Sequence, residues 1–313
     1  MQSYPENPAE RTQWILDRRR TVRRLAPDPF SPSGWENDEE PGDHGGSAAV
    51  FTVFLTNREC PWRCLMCDLW RYTTETATPP GALPAQLRKV LPHASLRQGG
   101  ETWIKLYNAG SLFDPGTVPK SDWKAIAELC RPFQRVIVEC HPSLVDERIL
   151  PFQAMLGGAQ LEVAMGLETV HPVVLEKLNK RMTLETFVKA ATFLRKHSCA
   201  VRSFALVRPP FLDEAEARHW ACRTIDFAFD SGCNVIAVIP TRTGNGALEE
   251  LARQGHFAPP GIETLSEVLA YGLSLKRGRV LADLWDLQRF ATGEALDAWK
   301  IRLARWNRDQ RVD

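Results

Sequence analysis

The stretch NRECPWRCLMCDLW, residues 57–70, places three of the chain's eight cysteines, Cys60, Cys64 and Cys67, within eight residues at the spacing C-x3-C-x2-C. A structural zinc site takes four protein ligands, and a cubane iron–sulfur cluster normally takes four cysteines. Three thiols with no fourth nearby leave one coordination position open, and an open position on a metal is where a substrate or cofactor binds. Pro61 stiffens the short connection between ligands. The other cysteines make poor fourth ligands: Cys130, Cys199 and Cys222 fall in helical segments or at element edges, and Cys140 and Cys233 border strands. Three readings follow: an iron–sulfur cluster with one open iron, a zinc site that recruits a distant histidine, or apolar thiols packed together.

Immediately upstream, AAVFTVFLTN (48–57) is a short apolar run rich in β-formers. It reads as a buried strand that delivers the chain to the thiol loop. Further strands are expected at TWIKLYN (102–108), QRVIVEC (134–140), QLEVAMGLE (160–168), CAVRSFALV (199–207) and NVIAVIP (234–240). Helices are expected between them, at 84–91, 121–130, 146–156, 184–194, 217–228 and 262–274, with a last segment GRVLADLWDLQRF at 278–290. Leu184, Phe187, Val188, Ala191 and Leu194, for example, share one helical face. Six strands alternating with helices imply a parallel sheet with helices outside. Several strands are apolar throughout, as when both faces are covered. Six units fall short of a closed eight-fold barrel, so the α/β architecture is an open doubly wound sheet or a partial barrel. In both, ligands gather at the C-terminal strand ends. Those ends read YNAGSLFD (107–114), VECHPS (138–143), GLET (166–169), LVRPPF (206–211) and IPTRTGNG (239–246), and with the cysteine loop they surround one mouth.

The 313-residue chain is 44% hydrophobic, ample for a sizeable core, and its net charge of +1 names no partner. It has no apolar run of about 18 residues to span a membrane, and its opening MQSYPENPAERTQW has no apolar signal region. A cytoplasmic location with reduced thiols is the expectation. Charge is uneven. Arg11, Arg18, Arg19, Arg20, Arg23 and Arg24 crowd the start, and Lys300, Arg302, Arg305, Arg308 and Arg311 the end. Between them WENDEEPGDHGG (35–46) is acidic and turn-rich. Basic ends suit a polyanion such as RNA; they also suit two solvated amphipathic helices. The expected organisation is a basic helix and acidic linker over 1–47, the barrel core over 48–290, and a basic helix over 291–313.

C-x3-C-x2-C at the end of a first strand resembles the signature of the radical S-adenosylmethionine (SAM) superfamily, whose fold is a six-strand partial barrel. The resemblance runs over roughly 48–290. IKLYNAGSLFDPGTVP (104–119), VIVECHPSLV (136–145), VAMGLETVHPVVLEKLNKRMTLETF (163–187), VRPPFLDEAEA (207–217) and ADLWDL (282–287) are similar to blocks of the subgroup with the Elongator catalytic core, and within it to the radical SAM subunit family of archaeosine synthase. This implies a partial (β/α)6 barrel with helical N- and C-terminal extensions. It also implies a [4Fe-4S] cluster on Cys60, Cys64 and Cys67, with SAM chelated by the remaining iron. A reduced cluster would cleave SAM to a 5′-deoxyadenosyl radical that abstracts hydrogen from substrate, the hard chemistry belonging to the cofactors. A one-electron donor of flavodoxin or ferredoxin type is the implied partner. A 7-deazaguanine-type nucleoside or transfer RNA is the implied substrate. The alternative is a non-catalytic zinc- or iron–sulfur-binding protein that interacts with RNA.

The same resemblance assigns further positions. Met66 would present backbone and an apolar side chain to adenine. Asn108, Ala109, Gly110 and Ser111 occupy the family's glycine-rich second-strand motif, which holds the methionine amino group; the usual form is Gly-Gly-Glu, and here Ser111 replaces the acid, with Asp114 as a supplement. Glu139 stands where a polar group meets the ribose hydroxyls, and a carboxylate can accept both hydrogen bonds. Relatives carry Glu-Ser-Arg-Pro there, whereas this chain has Glu139-Cys140-His141-Pro142. Glu168 is an inward carboxylate or a structural ion pair. Arg208 would pair with the SAM carboxylate or form a salt bridge elsewhere.

Overall fold

Strands without a polar face must be covered on both sides, and the chain meets that demand by curling one sheet inside a shell of helices. The computed structural model describes residues 3–43, 45–96 and 99–312. Its strands are β1 (Gly34–Pro41), β2 (Ser47–Leu55), β3 (Thr102–Asn108), β4 (Arg135–Glu139), β5 (Gln160–Glu168), β6 (Ala200–Val207), β7 (Val235–Pro240) and β8 (Arg279–Ala282), paired in sequential order. β2 to β8 run parallel, and β1 is antiparallel to β2. The helices are α1 (Pro8–Arg19), α2 (Ala82–Val90), α3 (Trp123–Cys130), α4 (Leu150–Met155), α5 (Pro172–Lys177), α6 (Leu184–Lys196), α7 (Glu214–Asp230), α8 (Ala247–Arg253), α9 (Ile262–Ser274) and α10 (Gly293–Asp309). Helices α2 to α9 make the crossovers between successive parallel strands. Their apolar faces and the outward strand residues, such as Val53, Leu106, Val138 and Val163, form the main core.

The partial barrel is the expected one, with two strands added to the six. β8 is a four-residue strand inside 278–290, and β1 lies inside the acidic stretch expected to be a turn-rich linker. The reason for β1 is electrostatic. Its inward face carries acids that meet cations inside the barrel. Glu40 accepts from Arg202 Nη1 and Nη2 at 2.8 and 2.6 Å and pairs with Lys105 at 2.6 Å. Glu162 on β5 takes Arg202 Nε at 2.6 Å and Arg135 at 2.7 Å. Arg135 also reaches Asp43, and the Arg135 and Arg279 guanidinium carbons lie 4.4 and 4.8 Å from the centre of the Trp103 ring. Charges buried this deeply must be paired, and this network closes the N-terminal end of the barrel.

Above that floor the inward positions open. Phe54, Tyr107, Glu139, Phe204, Ala237 and Ile239 are partly exposed although buried residues flank them along their strands. Alternation puts all six on the inner face, so they line a solvent-reaching chamber between the floor and the C-terminal strand ends. The free edge of β8 is closed by side-chain amides from α10 and from Gln310, the residue that caps its C-terminus. Asn307 accepts from Ala282 N at 2.8 Å and donates to Ala282 O at 2.8 Å, and Gln310 does the same for Val280 at 2.9 and 3.0 Å. Three residues apart at the end of the helix, the two amides satisfy edge groups that would otherwise template another strand.

Candidate active site

The thiol loop leaves β2 and folds over the C-terminal end of the barrel. Each anchor comes from a different element. Leu65 N donates to Leu178 O at 2.9 Å. Asn179 Nδ2 donates to Arg63 O at 2.8 Å. Asn245, whose Oδ1 caps α8 by accepting from Ala247 N and Leu248 N, donates Nδ2 to Leu65 O at 2.7 Å and Cys67 O at 3.3 Å. From α1, Arg19 donates to Cys64 O at 3.3 Å and to Glu59 at 2.6 Å, and Arg24 holds the other Glu59 oxygen at 2.6 Å. A loop with this many backbone carbonyls bound to fixed donors presents its thiols in a set arrangement.

Cys60, Cys64 and Cys67 are free and partly exposed. Burial pushes the Cys64 thiol up to about 12 and raises the other two. The three feel one another's charge. Among the described residues, no three His, Cys, Asp or Glu side chains converge closely enough to hold a single ion. Three thiols without a fourth are the donor set that an iron–sulfur cluster with one open position would take.

The β3 end meets this loop directly. A Cβ added to Gly110 would stand 3.3 Å from Cys60 Cβ and 3.6 Å from Asn108 Nδ2, so the absence of a side chain lets the turn approach the thiol. Both amide atoms of Asn108 are buried with no hydrogen-bond partner among the described residues. Such orphans are rare unless a ligand satisfies them, and beside Cys60 they fit a polar cofactor. Glu139 Oε2 accepts from Asn108 N at 2.7 Å. Burial, with a smaller push from Glu168, raises its carboxyl to about 8 against the pull of the Asn108 N–H and Lys180. Ser111 is buried and its Oγ accepts from His141 N at 2.8 Å. Ala109 is partly exposed beside Gly110.

Glu168 and Arg208 both sit at positive φ, 67° and 53°, a region that costs a side-chain-bearing residue energy and recurs at functional sites. Glu168 pairs with Lys180 at 2.5 Å, and Gly166 makes room for the pair, since its added Cβ would fall 1.9 and 2.1 Å from their charged atoms. Burial alone would pull the Lys180 ammonium down, yet Glu168 holds it above the usual lysine value. Arg208 turns to Glu214 and donates to Pro259 O at 2.9 Å. Asp114 caps its own turn, accepting from Gly116 N at 2.9 Å, and Met66 packs between two apolar clusters. The structure thus brings Asn108 and Gly110 to the Cys60 thiol, sets Glu139 on the Asn108 N–H, and gives Ser111, Asp114 and Arg208 protein partners of their own. Lys180, Asn245 and Arg19 are site residues that sequence reasoning missed. The signal for Asn245 is its place in Gly-Asn-Gly at a helix start; nothing marks Lys180.

The N-terminal arginines are mostly engaged by the protein. Arg11 is 2% exposed and donates to Pro5 O, Glu6 O and Glu176, and Arg18 lies 4.2 Å over Trp14. Of these arginines, Arg19 and Arg24, bound to Glu59, brace the thiol loop. No helix is long and apolar enough to cross a membrane among the described residues.

No family model matches the chain. It is 28% identical to archaeosine synthase subunit beta of Methanosarcina acetivorans over 239 residues, 72% of this chain and 67% of that protein. It is 26% identical to the protein of the same name from Thermococcus kodakarensis over 187 residues, 58% of this chain and 57% of that one. Among solved structures it is similar to a queuine lyase from Clostridium spiroforme bound to SAM and queuine, at 16% identity, 71% of this chain, 88% of that one and a TM-score of 0.48. A three-thiol loop that follows a parallel strand of a partial barrel is the arrangement expected from the resemblance to radical SAM enzymes. The sequence likeness is to the archaeosine synthase beta subunits.

Proposed function

We propose that Cys60, Cys64 and Cys67 bind a [4Fe-4S] cluster whose remaining iron takes SAM, and that the chamber beneath holds a modified nucleoside, free or within transfer RNA. The observation that carries the reading is the meeting of the three-thiol loop with the orphaned Asn108 amide across Gly110. Together the cofactors supply reductive cleavage of a sulfonium and hydrogen abstraction from the substrate. The chain's own groups bind and shield. The Asn108 amide and the open Gly110 turn face the cofactor's polar end. Glu139 offers one carboxyl oxygen to hydroxyls while its other takes the Asn108 N–H. Lys180 places a cation near Cys64 and Cys67. Phe54, Tyr107 and Phe204 give the chamber apolar walls that exclude water from a reactive carbon. A 7-deazaguanine-type base is the substrate we favour, on the strength of the related archaeosine synthase subunits. Because those proteins are named as subunits, a partner polypeptide belongs to the proposal, as does an electron donor of flavodoxin or ferredoxin type.

Anaerobic purification and reconstitution test it. The protein should turn brown, hold about four irons per chain and release 5′-deoxyadenosine from SAM on reduction. A colourless protein with one zinc and no turnover of SAM would refute it. Titration with bulk transfer RNA at two salt concentrations tests the substrate class: salt-sensitive binding is expected, and its absence would point to a small molecule.

A further inference from the structure

His141 follows the end of β4, and contacts to several elements radiate from it. Its ring lies flat against Trp62, with centroids 3.9 Å apart and planes 7° from parallel. Trp62 is the residue between Cys60 and Cys64 that faces β4. The ring edge meets the turn after α5: Nε2 lies 3.0 Å from Lys180 O. A carbonyl only accepts, so Nε2 carries the proton, and Nδ1 is left to accept from Ser143 N at 3.2 Å. The backbone N–H donates to Ser111 Oγ at 2.8 Å, one residue beyond the Gly110 that touches Cys60. The ring is 8% exposed. One residue therefore joins the thiol loop, the β3 turn, the β4 end and the 178–181 turn.

The anchors of the loop are unevenly spread. Asn179, Leu178, Asn245 and Arg19 all bind Arg63, Cys64, Leu65 or Cys67. Towards the Cys60 end Arg19 and Arg24 hold the Glu59 carboxylate on one side, and on the other the Trp62 ring rests on His141 while Gly110 approaches Cys60. We propose that His141 is a positioning residue for the Cys60 arm: its ring is the shelf that sets Trp62, and through it the direction of the Cys60 thiol. The proposal rests on the reading that the loop holds a cluster, but the shelf itself exists without one.

The test uses the full chain as parent, His141→Ala, His141→Phe and Trp62→Ala. In the metal-free protein, maleimide labelling followed by peptide mapping reads each thiol separately. His141→Ala should speed labelling of Cys60 about tenfold, the scale of one stacked pair with its hydrogen bond, and leave Cys64 and Cys67 within about twofold. Trp62→Ala should do the same from the other side of the contact. His141→Phe keeps a flat ring and should return Cys60 to within about threefold of the parent. In reconstituted protein, His141→Ala should lose iron to a ferrous chelator about tenfold faster and broaden the electron paramagnetic resonance signal of the reduced cluster. Equal melting temperatures across the set separate this local effect from general loosening. Parent-like labelling of Cys60 in His141→Ala, or equal acceleration at all three thiols, would overturn the shelf. A parent that takes up no iron would instead sink the cluster reading, and the labelling contrast would still decide the role of His141.

Discussion

Glu139→Gln should widen its stability advantage over the parent as pH rises. In the folded chain the Glu139 carboxyl ionises near 8, because burial disfavours the charged form and Glu168 adds to it. In the unfolded chain it ionises near about 4.3. The folded state therefore holds this proton more tightly than the unfolded one. The stability that comes from burying the neutral acid is complete below about pH 4, declines as pH rises, and is gone above about pH 8. Glutamine keeps an oxygen to accept the Asn108 N–H and has nothing to ionise. An unscreened group would lose about 1.4 kcal/mol per pH unit across that window. Water in the open chamber reduces this, and a gap of about 2 kcal/mol between acid and alkaline conditions is expected. Urea unfolding of both proteins near pH 5, 7 and 9, with the slope held common, measures it. Parallel curves, or a gap that widens towards acid, would refute the assignment of Glu139 as a buried, proton-bearing carboxyl in the chamber.

Cys64→Ala should abolish iron binding while leaving far-ultraviolet circular dichroism unchanged, since the barrel core contains none of the three thiols. Glu162→Gln should cost about 3–5 kcal/mol, because it strips a fully buried carboxylate from Arg135 and Arg202 and leaves cations uncompensated. Burial would raise the Glu162 carboxyl, but Arg202 and then Arg135 hold it below the usual range; its depressed value means the parent loses this contribution as pH falls through the carboxylate range, and the variant's urea midpoint should respond less to acid. Asn307→Ala should cost about 1 kcal/mol and speed hydrogen exchange at the Ala282 amide, which its side chain now protects.

What could be read in the sequence follows what each element depends on. The six strands expected from apolar runs are present because each is buried on both faces, and that demand is written in its own residues. β1 has no such run. It is a strand because Glu40 finds Arg202 and Lys105 from strands far along the chain, and a pairing of that kind is invisible until the barrel closes. β8 has only four residues, and its edge is finished by Asn307 and Gln310 from the next helix. At the site, the thiols and the Asn108–Gly110 turn were legible because chemistry restricts residue type and spacing there. Lys180 was not, since its role comes from Glu168 and the missing Cβ of Gly166. The basic N-terminus left RNA and a solvated helix both open as sequence; in the fold Arg11, Arg19 and Arg24 spend their donors on the protein.

Ser111 and His141 touch, Ser111 Oγ accepting the His141 N–H at 2.8 Å. The contact is neutral, because burial and then the neighbouring Lys180 drive the His141 ring down to about 3. The charge buried beside it is carried by the Glu168–Lys180 pair, so the imidazole is free of any ionic role and serves as the flat face on which the Trp62 ring rests.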